Sequence, residues 1–188
     1  MMRYLGHEYY VGYLSAAEVH GAAHQRPQVF QVVTDARLND RTFGRVSLEF
    51  TTSTKTAQRP TTAVNTPTGT MNVSVPEATV LDLVASPAHG GGLSNIATVL
   101  GELLAHNGLD IPRLAVLARD YPTAVPQRAG WLLQHVAGEI EADLDLAPLE
   151  DVTTSRRRPT PLAANGKHSG PLDERWNILV NTDVEPDL

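Results

Sequence analysis

The sequence predicts an α+β fold: a small mixed or antiparallel sheet with a short N-terminal helix, packed against a layer of about three to four helices. A C-terminal strand follows a long irregular segment. Three observations predict this. In the first 75 residues, Val46–Phe50 and Met71–Val75 alternate apolar and polar side chains with period two, between segments rich in proline, glycine and threonine. Residues 94–137 instead repeat apolar positions at helical spacing between short breaks. The final stretch loses both patterns and regains alternation only at Trp176, Ile178 and Val180. Residues 1–147 are therefore read as the α+β core and 148–188 as an extended tail ending in a strand tied to the same domain.

In chain order, Ser15-Ala16-Ala17-Glu18 has the spacing of a capping box and opens a helix expected from Ala16 to about Gln25, closed by Pro27. Val29–Thr34 reads as an extended run. In the next strand Val46, Leu48 and Phe50 face one way while Arg45, Ser47 and Glu49 face the other, as expected when one face is buried. Thr51–Thr62 holds six threonines and is either an edge strand or a loose connection. Residues 63–66 and 70–75 flank Pro67-Thr68-Gly69, which predicts a hairpin. Ser74-Val75-Pro76-Glu77 repeats the capping-box spacing before a helix from Glu77 to about Ala85, in which Asp82 is read as a buried hydrogen-bonding residue.

Gly90-Gly91-Gly92 leads into a helix capped by Ser94 and running to about His106, with Ile96, Val99, Leu100, Leu103 and Leu104 as its stripe. The glycine run lacks the lysine and hydroxyl placement of a phosphate-binding loop and reads better as a flexible link. Asp110 caps the next helix, which Pro122 stops, and a third runs from about Val125 to Ala137. Residues 148–171 contain four prolines, three arginines and two glycines and are expected to be irregular.

Composition narrows the function. The chain has 188 residues, is 41% hydrophobic and only 5% aromatic, so its core is built from aliphatic side chains. It contains no cysteine, which excludes disulfides, thiolate metal sites and cysteine nucleophiles. No apolar run approaches the length of a membrane span, and a cytoplasmic protein is expected. The net charge of -6 is unevenly spread. Residues 1–60 carry seven basic and five acidic side chains, whereas 61–150 carry three basic and ten acidic. An acidic helical region suits a basic protein partner.

No catalytic constellation emerges. His20 and His24 are spaced like zinc-protease ligands, but Gly21 stands where the general base belongs and no third ligand is well placed. Glu49 and Lys55 are too far apart for a nuclease carboxylate–lysine pair, and no serine occupies a nucleophile elbow. No metal and no cofactor is expected. For nucleic acid the candidates are Arg37, Arg41 and Arg45 near the first strands and Arg156, Arg157 and Arg158 in the tail, neither group interleaved with aromatics.

Several blocks taken in order carry a resemblance. They are Tyr9 to Gln25 running into Pro27-Gln28-Val29-Phe30-Gln31-Val32, then Thr66-Pro67-Thr68-Gly69, and Val73-Ser74-Val75-Pro76-Glu77-Ala78-Thr79-Val80-Leu81-Asp82-Leu83-Val84. The triple glycine with Leu93-Ser94-Asn95 follows, then Pro126-Gln127-Arg128-Ala129-Gly130-Trp131-Leu132-Leu133, and last Arg175-Trp176-Asn177-Ile178-Leu179-Val180-Asn181. This string resembles the effector-neutralising domain of AbiEi antitoxins, from type IV-like toxin–antitoxin systems. The resemblance implies a non-catalytic protein whose partner is an AbiEii-like nucleotidyltransferase toxin acting on RNA such as tRNA. Members usually carry an N-terminal winged helix that binds their own promoter. Here the resemblance begins within ten residues of the start, so the winged helix and DNA binding are not expected.

Direct neutralisation places the acidic residues at the toxin interface: Glu139, Glu141, Asp143 and Asp145, with the helix faces near Glu102 and Asp120. A regulator of its own operon is the alternative, an unfamiliar enzyme the third. The tail strand leaves a homodimer open.

Overall fold

The computed structural model describes residues 6–22, 28–67, 69–106, 108–153 and 158–188. Among them an α+β fold is formed by a six-stranded mixed sheet, six helices and a separate three-stranded sheet. The elements of the first half are β1 (Tyr9–Val11), α1 (Tyr13–Val19), β2 (Val29–Thr34), β3 (Arg41–Phe43), β4 (Val46–Thr52), β5 (Thr61–Thr66), β6 (Gly69–Ser74) and α2 (Pro76–Ala85). Then come α3 (Leu93–His106), α4 (Ile111–Ala118), α5 (Ala124–Glu139), α6 (Ala147–Thr153) and the short strands β7 (Thr160–Pro161), β8 (Leu172–Asp173) and β9 (Ile178–Leu179).

The large sheet is ordered β3-β4-β2-β1-β6-β5. Pairing is antiparallel for β1–β2, β3–β4 and β5–β6, and parallel for β1–β6 and β2–β4. Opposed residues share a face. Tyr10 and Val33 are paired and belong to the main core under the helical layer. Val11 and Val73 are paired on the other face, where Ala16 of α1 closes a small second core with Phe30, Val64 and Met71 at its margin.

The helical layer centres on α2. Residues 77–84 are all buried, so this helix is enclosed on every side, and Val80, Leu81, Leu83 and Val84 are fully inaccessible. Ile96, Val99, Leu100 and Leu103 of α3, Leu114 of α4, and Ala129, Leu132, Leu133 and Val136 of α5 present the expected stripes to the same core. Asp110 caps α4 by accepting the Arg113 amide at 2.9 Å.

Several expectations need correction. Ser15 lies inside α1, where Gly12 is the cap; its hydroxyl instead accepts the Gln31 amide at 2.9 Å and ties the helix to β2. That helix ends at Val19 rather than near Gln25, because Gly21 turns the chain with a positive φ of 75°. Val75, not Ser74, caps α2, and the Ser74 hydroxyl is bonded to Thr79 at 2.7 Å. The glycine run is a defined turn: Gly91 and Gly92 have φ of 71° and 98°, and a Cβ on Gly90 would lie 2.5 Å from Ile96. The threonine stretch is neither one edge strand nor a loose link, since it holds the end of β4, a 3-10 turn at Thr56–Gln58 and the start of β5. Val46 is 52% exposed, and Leu48 and Phe50 on the same face are only half-buried.

The tail is more ordered than its composition suggests. α6 occupies the start of the segment expected to be irregular, and buries Leu149. The alternating stretch at Trp176–Val180 yields only the two-residue β9, which joins β7 and β8 in a sheet of its own. Trp176 is fully buried in a notch at Gly130 of α5, where a Cβ would sit 2.1 Å from the indole. Its Nε1 donates to Gln134 Oε1 at 2.9 Å. The last residues then run along α3: Glu185 donates its amide to Ser94, Asp187 donates to Thr98, and Leu188 packs on Gly101.

Candidate functional site

Two polar assemblies and one acidic surface are the candidates. The first assembly is largely buried. Asp82, in the middle of α2, accepts hydrogen bonds from Tyr10 of β1 at 2.8 Å and from Tyr121 of the α4–α5 link at 2.6 Å. Arg59, just before β5, lies across the Tyr121 ring at 3.9 Å, with its Nε 3.8 Å from the carboxylate. Both charged side chains are 8% exposed. Burial pushes the Asp82 carboxyl above its ordinary value, opposed by the two phenols and by Arg59. Burial and the neighbouring carboxylate push both Tyr10 and Tyr121 up as well, so both hydroxyls stay protonated and donate. Beside this group Lys55 donates to the Asp120 carbonyl at 2.6 Å, tying the end of β4 to the end of α4.

The second assembly adjoins it. Tyr13 opens α1 in the left-handed region with φ 53°, a conformation costing a tyrosine about 1–3 kcal/mol, and stacks on His89 at 4.3 Å. His89 Nε2 meets Thr51 at 3.3 Å and Glu49 at 3.5 Å, while its Nδ1 is enclosed without a hydrogen-bond partner. Gln31 joins the ring of contacts, donating to the His89 carbonyl at 3.1 Å and accepting the Leu14 amide at 3.0 Å. His89 also borders a cleft of about 430 Å³ between the Ser86–Leu93 segment, Arg128 and residues 162–165.

The acidic residues singled out in the sequence separate into groups. Glu139, at the end of α5, and Glu141, Asp143 and Asp145, in the link from α5 to α6, are all exposed. Glu141 takes φ 53° there, and Asp145 accepts the Ala147 amide at 3.0 Å to start α6. Glu102 is half-buried in the last turns of α3, where the adjoining Gly101 packs near Val136 of α5. Asp120 is exposed just before α5 begins, so the whole of that 16-residue helix, about 24 Å, separates it from Glu139.

Arg37, Arg41 and Arg45 are exposed around the β3–β4 hairpin, with Arg41 on the edge strand itself. Arg158 is exposed; Arg156 and Arg157 lie outside the described residues, as does His24. His20 Nε2 is 2.7 Å from the Ser74 carbonyl, and no group of three His, Asp or Glu among the described residues is arranged to hold a metal.

Residues 10–135 match the family model described as the AbiEi antitoxin C-terminal domain. The chain belongs to this family. The matched model is that of the C-terminal domain of an antitoxin family. The matched AbiEi span takes in both polar assemblies, Glu102 and Asp120, and stops before the acidic run at Glu139. No curated protein matches the chain. Among solved structures, the crystal structure of the RV2827C protein from Mycobacterium tuberculosis is similar in fold, with a TM-score of 0.62 at 18% identity. The match covers 91% of this AbiEi chain and 61% of the other. No helix among the described residues is long and apolar enough to cross a membrane.

Sequence reasoning identified Asp82 as a buried acceptor and did not bring Tyr10, Arg59 or Tyr121 to it. The available signal was the carboxylate itself. A lone acid in the run Ala78–Val84 needs donors or a cation, and those lie 72, 23 and 39 positions away in sequence.

Proposed function

We propose that this protein is an antitoxin that neutralises a nucleotidyltransferase toxin acting on RNA, tRNA foremost, by binding it directly and without catalysis of its own. The observation that carries this reading is the acidic run at one end of the helical layer. Glu139, Glu141 and Asp143 are exposed and form no ion pair among the described residues. An enzyme that handles tRNA presents basic surface to its substrate, and a cluster of uncommitted carboxylates competes for it and steers the encounter. Glu102 flanks the run from α3. A toxin that also contacts Asp120 spans the full length of α5.

The test is co-expression with the product of the adjacent gene, scoring growth rescue and copurification together. Rescue with a stable complex supports direct neutralisation. Rescue without a complex overturns direct binding, and promoter occupancy in place of both favours the regulator. In the complex, replacing Glu139 and Glu141 by Gln and Asp143 and Asp145 by Asn slows association; unchanged rates remove the acidic run from the interface.

A further inference from the structure

The two ends of the large sheet are protected very differently. At one end β3 is three residues long and carries Arg41, with Asp40 before it and Arg45 just beyond. Short, charged edges resist the addition of another strand. At the other end β5 is six residues long, Thr-Thr-Ala-Val-Asn-Thr, with no charged side chain. It is framed by Pro60 and Pro67 and, among the described residues, has no strand paired on its outer side.

The register of the β5–β6 hairpin shows which backbone groups are open. Val75 donates its amide to the Pro60 carbonyl at 3.1 Å, and the two residues continue the Thr61↔Ser74 register, so 60 and 75 are a hydrogen-bonded pair. Such pairs alternate along an antiparallel ladder. Thr62, Val64 and Thr66 therefore turn their amides and carbonyls toward β6. Thr61, Ala63 and Asn65 turn theirs outward, and all three residues are exposed.

We propose that β5 is a dimerisation edge whose occupant is a second copy of this chain, joined antiparallel about a twofold axis at Ala63. In that register Ala63 faces the partner's Ala63 and Thr61 faces the partner's Asn65. Each of the opposed pairs exchanges two hydrogen bonds, satisfying every outward group of the strand. One face of the junction then pairs Thr62 with the partner's Val64, the other Thr61 with the partner's Asn65, and no like charges meet. The same symmetry at β3 juxtaposes arginines within a three-residue ladder. Pro67, lacking an amide, ends the pairing beyond Asn65. The result is one sheet running through both copies, with the acidic runs free for other partners. A strand edge is small beside a standard protein interface, so the dimer forms reversibly, with a dissociation constant on the order of 10 µM.

Sedimentation equilibrium of the whole chain across about 1–500 µM tests this, with no toxin present, so that its failure is distinct from failure of the antitoxin reading. Wild type passes from monomer to dimer, and hydrogen exchange at Thr61, Ala63 and Asn65 slows as concentration rises. Ala63→Pro removes an outward amide that β6 does not use, which an edge strand tolerates. Ala63→Lys places two ammonium groups opposite each other at the axis. Each raises the dissociation constant at least tenfold, with an unchanged far-ultraviolet circular dichroism spectrum establishing that the fold persists. A monomer at every concentration overturns the proposal, as does a dimer insensitive to both substitutions. Protection of these amides only when the toxin is added also overturns it, and assigns the edge to a toxin strand.

Discussion

Asp82 and Asp143 are the same side chain in opposite surroundings. Asp82 is enclosed by Tyr10, Tyr121 and Arg59 between the sheet and the helical layer. Every one of its partners comes from a different element, so the carboxylate fixes how β1, α2, the approach to β5 and the α4–α5 link meet. Asp143 stands exposed in the α5–α6 link beside three other acids. Solvent reaches that group, so it adds little to the fold. Buried charge specifies this structure, and exposed charge is free to act between molecules.

The largest expected effect comes from cutting the buried side of this contrast. Asp82→Ala leaves Arg59 enclosed without a counter-charge and two phenols without an acceptor. Urea unfolding is expected to show a loss of about 3–5 kcal/mol. A loss below about 1 kcal/mol would mean that water reaches the cluster and that the contrast with Asp143 is false.

Asp82→Asn sharpens the same point through pH. Burial raises the Asp82 pKa in the folded state above its ordinary value of 3.8. The folded chain therefore holds this proton more tightly than the unfolded chain. The resulting contribution is fully present below pH 3.8 and is lost as pH rises through the higher folded value. Denaturation midpoints measured from pH 3 upward should show this decline in wild type, and the Asn variant should lack it. Parallel profiles for the two proteins would place Asp82 in contact with solvent.

Neutralising the acidic run is expected to act the other way round. Glu139→Gln, Glu141→Gln, Asp143→Asn and Asp145→Asn together should slow association with the toxin on the order of tenfold at low salt. Unfolding free energy should move by less than about 1 kcal/mol, most of it from the Asp145 contact with the Ala147 amide. Stopped-flow binding and urea unfolding on the same preparation decide it. The smallest effect belongs to an exposed pair that has a partner. Glu150→Ala breaks the 2.9 Å contact with Arg175, whose two side chains are 38% and 42% exposed, and should cost about 0.5 kcal/mol or less in thermal unfolding.

Much of this architecture is written in local pattern, and the exceptions share a cause. α3, the Asp110 cap and the β5–β6 hairpin were legible because each is specified by residues close in sequence. β1 and β3 were not, since three-residue strands carry too little alternation and exist here through pairing with β2, β6 and β4. α6 was hidden by Pro148, which breaks a helix interior but is accepted in a first turn, here just after the Ala147 amide that Asp145 accepts. The exposed acids could be found from charge alone. The partners of Asp82 could not, because nothing local in Tyr10, Arg59 or Tyr121 announces that they converge. Only the packed tertiary structure brings them together.

The notch at Gly130 sets a schedule for making the protein. Trp176 fills it, and 46 residues of chain separate the two positions. At a synthesis rate of about 5–20 residues per second, roughly 2–9 s pass between the appearance of the gap in α5 and the arrival of the indole that closes it. Through that interval a growing chain carries the matched 10–135 region already complete in sequence but with an open seam in its core. A growing molecule thus closes this core only once residue 176 has been made, and a chain abandoned earlier leaves that seam open for proteases.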